Sequence, residues 1–248
     1  REDIFMGKFV LIGGVTPPLS LDIIDEEIIR LTDNKKPKVL YVPTAGGDDP
    51  DYCDFFRGIY EKRFGCDLDI LYLVRENPTE YEIKEKIFLS DVIYVEGGET
   101  QSLMGYFKKY KMDEILLKAY KNGIVLAGKS AGALCWGSYY FEDEEINDFK
   151  NYIDIECLKF LNFIICPHYN MEGYSEKMDA MINMHGGVGI GIENNCALEI
   201  INDKYRIIAT NCDSNAYKVY QSGTKICLEI IIKDSNFRNM KELIQIPS

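Results

Sequence analysis

The sequence predicts an α/β fold: a three-layer sandwich with a mostly parallel central sheet and antiparallel hairpins at its C-terminal end. Three observations predict it. Short, almost wholly apolar runs have the composition of strands buried on both faces: Phe9-Val10-Leu11-Ile12, Val39-Leu40-Tyr41-Val42, Val92-Ile93-Tyr94-Val95 and Ile124-Val125-Leu126-Ala127. Segments with apolar residues at helical spacing separate them, and that alternation yields a parallel sheet with helices on both faces. From Val188 onward the pattern changes to short strands bounded by turn residues, which reads as hairpins.

Each element follows from local chemistry. Phe9 to Ile12 is the first strand, stopped by Gly13-Gly14. Ser20 to Leu31 has apolar residues at 21, 23, 24, 28, 29 and 31, the spacing of a helix. Lys38 to Pro43 is the second strand, followed by the loop Thr44 to Pro50. Tyr52 to Phe64 is helical and Gly65 stops it. Leu68 to Val74 is a third strand, Tyr81 to Leu89 a helix, and Asp91 to Val95 a fourth strand ending at Gly97-Gly98. Helices over Thr100–Lys109 and Met112–Lys121 lead to the strand before Ser130. Glu142-Asp143-Glu144-Glu145 is an acidic loop, and Phe160 to Cys166 an apolar strand ending at Pro167-His168-Tyr169-Asn170. Tyr174 to Met184 is helical, and His185 lies in a helix-end loop with no role assigned. Strands follow at 188–193, 196–201, 205–209, 216–220 and 225–232, separated by Glu193-Asn194-Asn195, Asn202-Asp203 and Ser222-Gly223. The span 188–232 reads as an antiparallel extension of the sheet.

A chain of 248 residues suits one large domain or two small ones. No linker, repeat or low-complexity tract divides it, so 1–248 is read as one domain. Met6 reads as a natural start, with residues 1–5 an addition outside the fold. Phe9 to Ile12 is too short for the apolar core of a secretory leader. No apolar run reaches the roughly 18 residues of a membrane span. Eight cysteines without CxxC spacing, several inside apolar runs, read as free thiols in a reducing cytoplasm. A net charge of −12 argues against nucleic acid and anionic membranes as partners.

The stretch that carries chemistry is Gly128-Lys129-Ser130-Ala131-Gly132-Ala133. It fits two motifs. Gly123 to Ser130 matches the phosphate-binding pattern G-x-x-x-x-G-K-[ST], whose four middle residues must form a loop with its N–H groups on phosphate. Here they are Ile-Val-Leu-Ala, the strand itself, and the residues before Gly123 are helical in pattern. Gly128 to Gly132 also matches G-x-S-x-G, with a strand before and a helix after. That context places a serine hydroxyl at the C-terminal end of a parallel strand, on the positive end of a helix dipole. Small residues at such a turn also serve packing alone, so the reading depends on partners.

A serine nucleophile needs a base. His168 follows an apolar strand at the same edge of the sheet, 38 residues beyond Ser130. An acid that orients the imidazole can come from Glu142, Asp143, Glu144 or Glu145, although such a run is most often a solvated face. The N–H after the nucleophile, that of Ala131, and one from Gly97-Gly98 can form an oxyanion hole.

These residues resemble the family of dipeptidase E and cyanophycinase, serine peptidases on a flavodoxin-like fold related to the class I glutamine amidotransferases. The resemblance covers most of the chain. It rests on Gly13-Gly14, Gly97-Gly98-Glu99-Thr100, Gly-x-Ser-Ala-Gly-Ala and Pro-His-Tyr-Asn, and on spacings of 31 residues from Glu99 to Ser130 and 38 from Ser130 to His168. It implies Ser130 as nucleophile, His168 as general base, and Gly98 and Ala131 as the oxyanion hole. The family's acid lies between serine and histidine; Asp143, 13 residues after Ser130, is favoured over Glu145, at 15. Two positions depart from the family. Glu99 replaces an asparagine, and Lys129 replaces an uncharged residue and is expected to pair with Glu99 or Asp143. Both are assigned to substrate binding. No arginine near His168 is in place to hold an acidic side chain, which leaves aspartyl specificity open.

The function expected is hydrolysis of small peptides, aspartyl dipeptides among them, through an acyl-enzyme on Ser130. No cofactor or metal is expected. The partners expected are a small peptide substrate and at most a second copy of the chain as a homodimer, with no nucleic acid and no membrane. Two alternatives stand beside it. One is a binding protein of the same fold impaired in turnover, which Glu99 supports. The other is an α/β-hydrolase-type esterase, in which acid and histidine usually lie further downstream.

Overall fold

The computed structural model describes residues 7–17, 20–143 and 152–247. The central sheet grows from the apolar runs. Strands β1 (Lys8–Ile12), β2 (Lys38–Val42), β3 (Asp67–Ile70), β4 (Val92–Val95) and β5 (Val125–Lys129) all run parallel, side by side in the order β1-β5-β4-β2-β3. Alternate side chains go to opposite faces. Val10, Ile12, Val125 and Ala127 enter one core, while Phe9, Leu11 and Leu126 enter the other.

Helices cover both faces. On one lie α1 (Asp22–Arg30) and α2 (Pro50–Arg57), the latter continued by a π-helical turn over Gly58–Arg63. On the other lie α3 (Glu80–Phe88), α4 (Thr100–Lys109), α5 (Met112–Lys121) and the short α6 (Ala131–Leu134). Helices α2 and α3 start on side-chain caps. Asp49 accepts from Asp51 N ahead of Pro50, and Thr79 and Glu82 form a capping box.

The rest of the chain departs from the expected simple extension. A ribbon of β6 (Tyr139–Asp143) and β7 (Tyr152–Glu156) occupies part of the expected acidic loop, so Glu142 and Asp143 end a strand. Then come β8 (Ile164–Cys166), α7 (Tyr174–His185), β9 (Val188–Ile192), β10 (Cys196–Ile201), β11 (Lys204–Ala209), β12 (Ala216–Ser222), β13 (Lys225–Ile231), β14 (Arg238–Asn239) and α8 (Met240–Ile244). Of the strands after Val188, only β10, β11 and β14 join the central sheet, antiparallel beyond β1. β9, β12 and β13 form a second sheet with β8. The break falls at Glu193-Asn194-Asn195. Asn195, at φ +64°, turns the chain from one sheet to the other. The corner therefore lies at the C-terminal end of β1 and β5, where α/β sheets place their sites. His185 stacks on Tyr139 and meets Asp154 at 3.1 Å, holding α7 on the ribbon.

Candidate active site

Ser130 sits between β5 and α6 with φ +56° and ψ −120°, a backbone that L residues rarely adopt. The surrounding glycines make it possible. A Cβ on Gly128 would stand 2.1 Å from Gly132 O, and one on Gly132 would stand 2.0 Å from Val95 O. The turn is thus clamped between β5 and β4 without room for side chains. Ser130 N donates to Ile12 O at 3.0 Å. Because Val125 to Lys129 form a ladder strand, the N–H groups that a phosphate loop would need are engaged in the sheet.

His168 follows β8 and is also held at positive φ, +55°. Its N–H donates to Gly13 O at 3.1 Å, which fastens the loop to the end of β1. The imidazole is half-buried. Its Nε2 lies 2.8 Å from Ser130 Oγ, and its Nδ1 lies 2.7 Å from Asn194 Oδ1. The side-chain amide nitrogen of Asn194 donates to Thr16 Oγ at 3.0 Å, and its backbone N–H donates to Asn170 Oδ1 at 3.0 Å. An amide oxygen only accepts, so Nδ1 carries the proton and Nε2 is free to accept one from Ser130. Burial pushes the His168 pKa below its usual value; the Asn194 bond opposes that shift and the Lys129 charge adds to it. The ring is a neutral base at neutral pH.

Asn194 stands where an acid was expected. Asp143 does not reach His168. Its Oδ1 lies 3.1 Å from the buried Lys177 ammonium, a charge contact without the alignment of a hydrogen bond. Lys177 sits among the rings of Tyr140, Tyr152 and Tyr174. Glu145 lies outside the described residues. Glu142 accepts from Thr100 N at 3.0 Å and Gln101 N at 2.8 Å, placing a carboxylate on the N-terminus of α4.

Gly98, Ser130 and Ala131 line one cavity of about 400 Å³, together with Glu99, Glu142, Asp143, Tyr174 and Lys177. The N–H groups of Gly98 and Ala131 have no acceptor among the described residues. Glu99 is exposed at the start of α4, with its N–H on Ala45 O at 2.9 Å and no partner for its carboxylate among the described residues. A larger surface hollow, about 500 Å³, lies around Arg206 and Lys233, away from Ser130.

Lys129 pairs with neither Glu99 nor Asp143. Its ammonium meets Glu96 Oε1 at 2.8 Å on the opposite face of β5. Glu96, buried, also accepts from Gly97 N at 2.8 Å and from Tyr41 OH at 2.7 Å. One carboxylate therefore ties the Gly97-Gly98 turn to the residue before Ser130. Sequence reasoning missed Asn194, Thr16 and Glu96. Asn194 was legible only as a turn residue, because its approach to His168 depends on how two sheets meet.

A serine at a strand–helix elbow, hydrogen-bonded to a histidine, is the arrangement that serine hydrolases use. The chain belongs to peptidase family S51, whose sequence model matches residues 9–208. This is the dipeptidase E and cyanophycinase family that the motifs resemble, and its members are serine-type peptide-bond hydrolases. The uncharacterized peptidase YgaJ of Bacillus subtilis is 30% identical over 208 residues, 82% of this chain and 86% of that protein. The uncharacterized peptidase Lmo0363 of Listeria monocytogenes is 28% identical over 109 residues, 43% of this chain and 53% of that one. Among solved structures, a peptidase from an acI-B1 Actinobacterium superposes with a TM-score of 0.72 at 19% identity, covering 94% of this chain and 97% of the other. A putative peptidase E protein from Listeria monocytogenes gives 0.62 at 20% identity, covering 83% and 100%. Both structural likenesses concern the fold. No helix among the described residues is long and apolar enough to cross a membrane.

Proposed function

We propose that this peptidase cleaves small peptides through an acyl-enzyme on Ser130. The observation that carries the reading is the chain of contacts from Ser130 Oγ to His168 Nε2 at 2.8 Å and from His168 Nδ1 to Asn194 Oδ1 at 2.7 Å. Ser130 Oγ attacks the scissile carbonyl as its proton passes to Nε2. The imidazolium keeps its Nδ1 proton on the Asn194 amide oxygen. The N–H groups of Gly98 and Ala131 receive the oxyanion. Nε2 then delivers the proton to the leaving amine, and the same nitrogen activates the water that releases the acyl group. Glu99, in the wall of the Ser130 cavity, contacts the substrate. Lys129 acts on the site through its charge and its bond to Glu96 rather than from that wall. All eight cysteines are free and six are buried, which suits a reducing cytoplasm.

A screen of dipeptides with varied N-terminal residues tests the reading. The expected result is cleavage of at least one by the wild type and by no preparation of Ser130→Ala. A second reading, a binding protein with impaired turnover, is favoured by Asn194, which supplies no negative charge to an imidazolium. It predicts peptide binding without cleavage by the wild type.

A further inference from the structure

The end of β5 separates two cavities. Ser130 opens on one; Lys129 and Glu96 border the other, about 270 Å³, between α1 and α2. The walls of this second cavity are mainly aromatic, from Phe55, Phe56, Tyr60 and Tyr94. Three acids and two cations also line it. Two of the acids are spent internally: Asp22 holds Arg63 at 2.6 Å, and Glu96 holds Lys129 at 2.8 Å. The third, Asp25, is 3% exposed. It accepts one hydrogen bond, from Tyr60 OH at 2.7 Å, and no other donor reaches its carboxyl among the described residues. A mainly aromatic cavity thus contains one buried carboxyl that has no ion-pair partner among the described residues. Phe55, 68% exposed, adds an apolar side chain to the cavity wall.

We propose that this cavity binds a small organic ammonium ion with an apolar body, its charged head on Asp25 and its body among the aromatic rings. An ammonium supplies the donors and the charge that Asp25 lacks, and aromatic faces attract cations. An anion would meet Asp25 repulsively, and a neutral apolar guest would leave the buried carboxyl unpaired. Burial pushes the Asp25 pKa up to about 7, with the Tyr60 hydrogen bond and the Lys129 charge opposing the shift and the Asp22 and Glu96 charges adding to it; a bound ammonium favours the carboxylate form. The ligand has two possible sources: a free amine, or the N-terminal residue of a peptide lying across Ser130.

The test is calorimetric titration of the full chain at pH 8 with 2-phenylethylamine and with the neutral 2-phenylethanol, which needs no turnover. The amine should bind at least tenfold more tightly. Asp25→Asn, which keeps an acceptor for Tyr60, should abolish that preference. Phe55→Ala, at an exposed position that leaves the core intact, should weaken amine binding severalfold. Equal binding of the two probes, binding of neither, or amine binding unchanged in both variants overturns the proposal. Fluorophosphonate labelling of Ser130 in saturating amine separates the sources: slowed labelling indicates the peptide N-terminus, and unchanged labelling a separate amine site.

Discussion

The His168 ring is held by an amide: its Nδ1 lies 2.7 Å from Asn194 Oδ1. An amide oxygen selects the tautomer as a carboxylate would, but adds no charge to stabilise the imidazolium. Orientation and charge are thereby separable at one position. Asn194→Ala should lower kcat/KM about 100-fold, the lower end of the range for a positioned general base. Asn194→Asp should raise kcat and move the acid limb of the pH profile upward, since a carboxylate favours imidazolium. Steady-state kinetics of both variants across pH 5–9 read this; an Ala variant as active as wild type contradicts it.

The acid limb of the wild type should lie below the usual histidine pKa, about 6.5. Burial lowers the His168 pKa, and the Lys129 cation lowers it further. Removing that cation relieves repulsion of the imidazolium. In Lys129→Met the pKa rises, and the limb of kcat/KM moves to higher pH. A limb that stays in place assigns the depression to burial alone.

Glu96 links Gly97 N, Lys129 Nζ and Tyr41 OH. Glu96→Ala leaves a partly buried ammonium and a buried hydroxyl without acceptors, at a cost of about 2–3 kcal/mol. It also frees the turn that carries Gly98. Urea unfolding should show the loss in stability, and kcat should fall more than KM rises. Glu96→Gln keeps an acceptor and should recover most of the stability.

Asp25 contributes in the direction of acid stability. Burial raises its pKa from about 3.8, the ordinary aspartate value, to about 7 in the fold. The folded chain therefore binds the proton more tightly than the unfolded chain. Stability from this group is full below pH 4 and is lost as pH rises to about 7. Asp25→Asn should gain on wild type by up to about 4 kcal/mol between pH 4 and pH 8. Denaturant titrations at the two pH values check this; a gain independent of pH shows that Asp25 does not titrate there.

The elbow glycines are steric requirements. Gly132→Ala puts a Cβ 2.0 Å from Val95 O and should abolish soluble expression. Gly105, inside α4, has nothing within 4 Å of an added Cβ. Gly105→Ala should raise stability by up to about 1 kcal/mol through helix propensity, as thermal unfolding would show.

The parallel core was legible because β1, β2, β4 and β5 carry apolar runs between helical segments; the edge strand β3, Asp67–Ile70, carries two aspartates and ends short of the expected Val74. Ser130 and His168 were legible because both follow apolar runs directly; the expected shared sheet edge is corrected, since β5 lies in the central sheet and β8 in the second, and the two strand ends meet where the sheets do. The second sheet was not legible. Val188–Ile192 and Cys196–Ile201 read as a plain hairpin, and only tertiary packing decides that they part at Asn195. The same corner hides Asn194, a turn residue by composition. The sequence reading pairs Lys129 with Glu99 or Asp143. Strand alternation sends it to the other face, where Glu96 also points.

The most direct measurement is intact-mass and peptide mapping after exposure to a fluorophosphonate. The account predicts a single adduct on Ser130, absent in Ser130→Ala and formed at least 100-fold more slowly in His168→Ala, in keeping with the contribution of a general base. Absence of an adduct on Ser130 in a wild-type preparation that cleaves a dipeptide would contradict it.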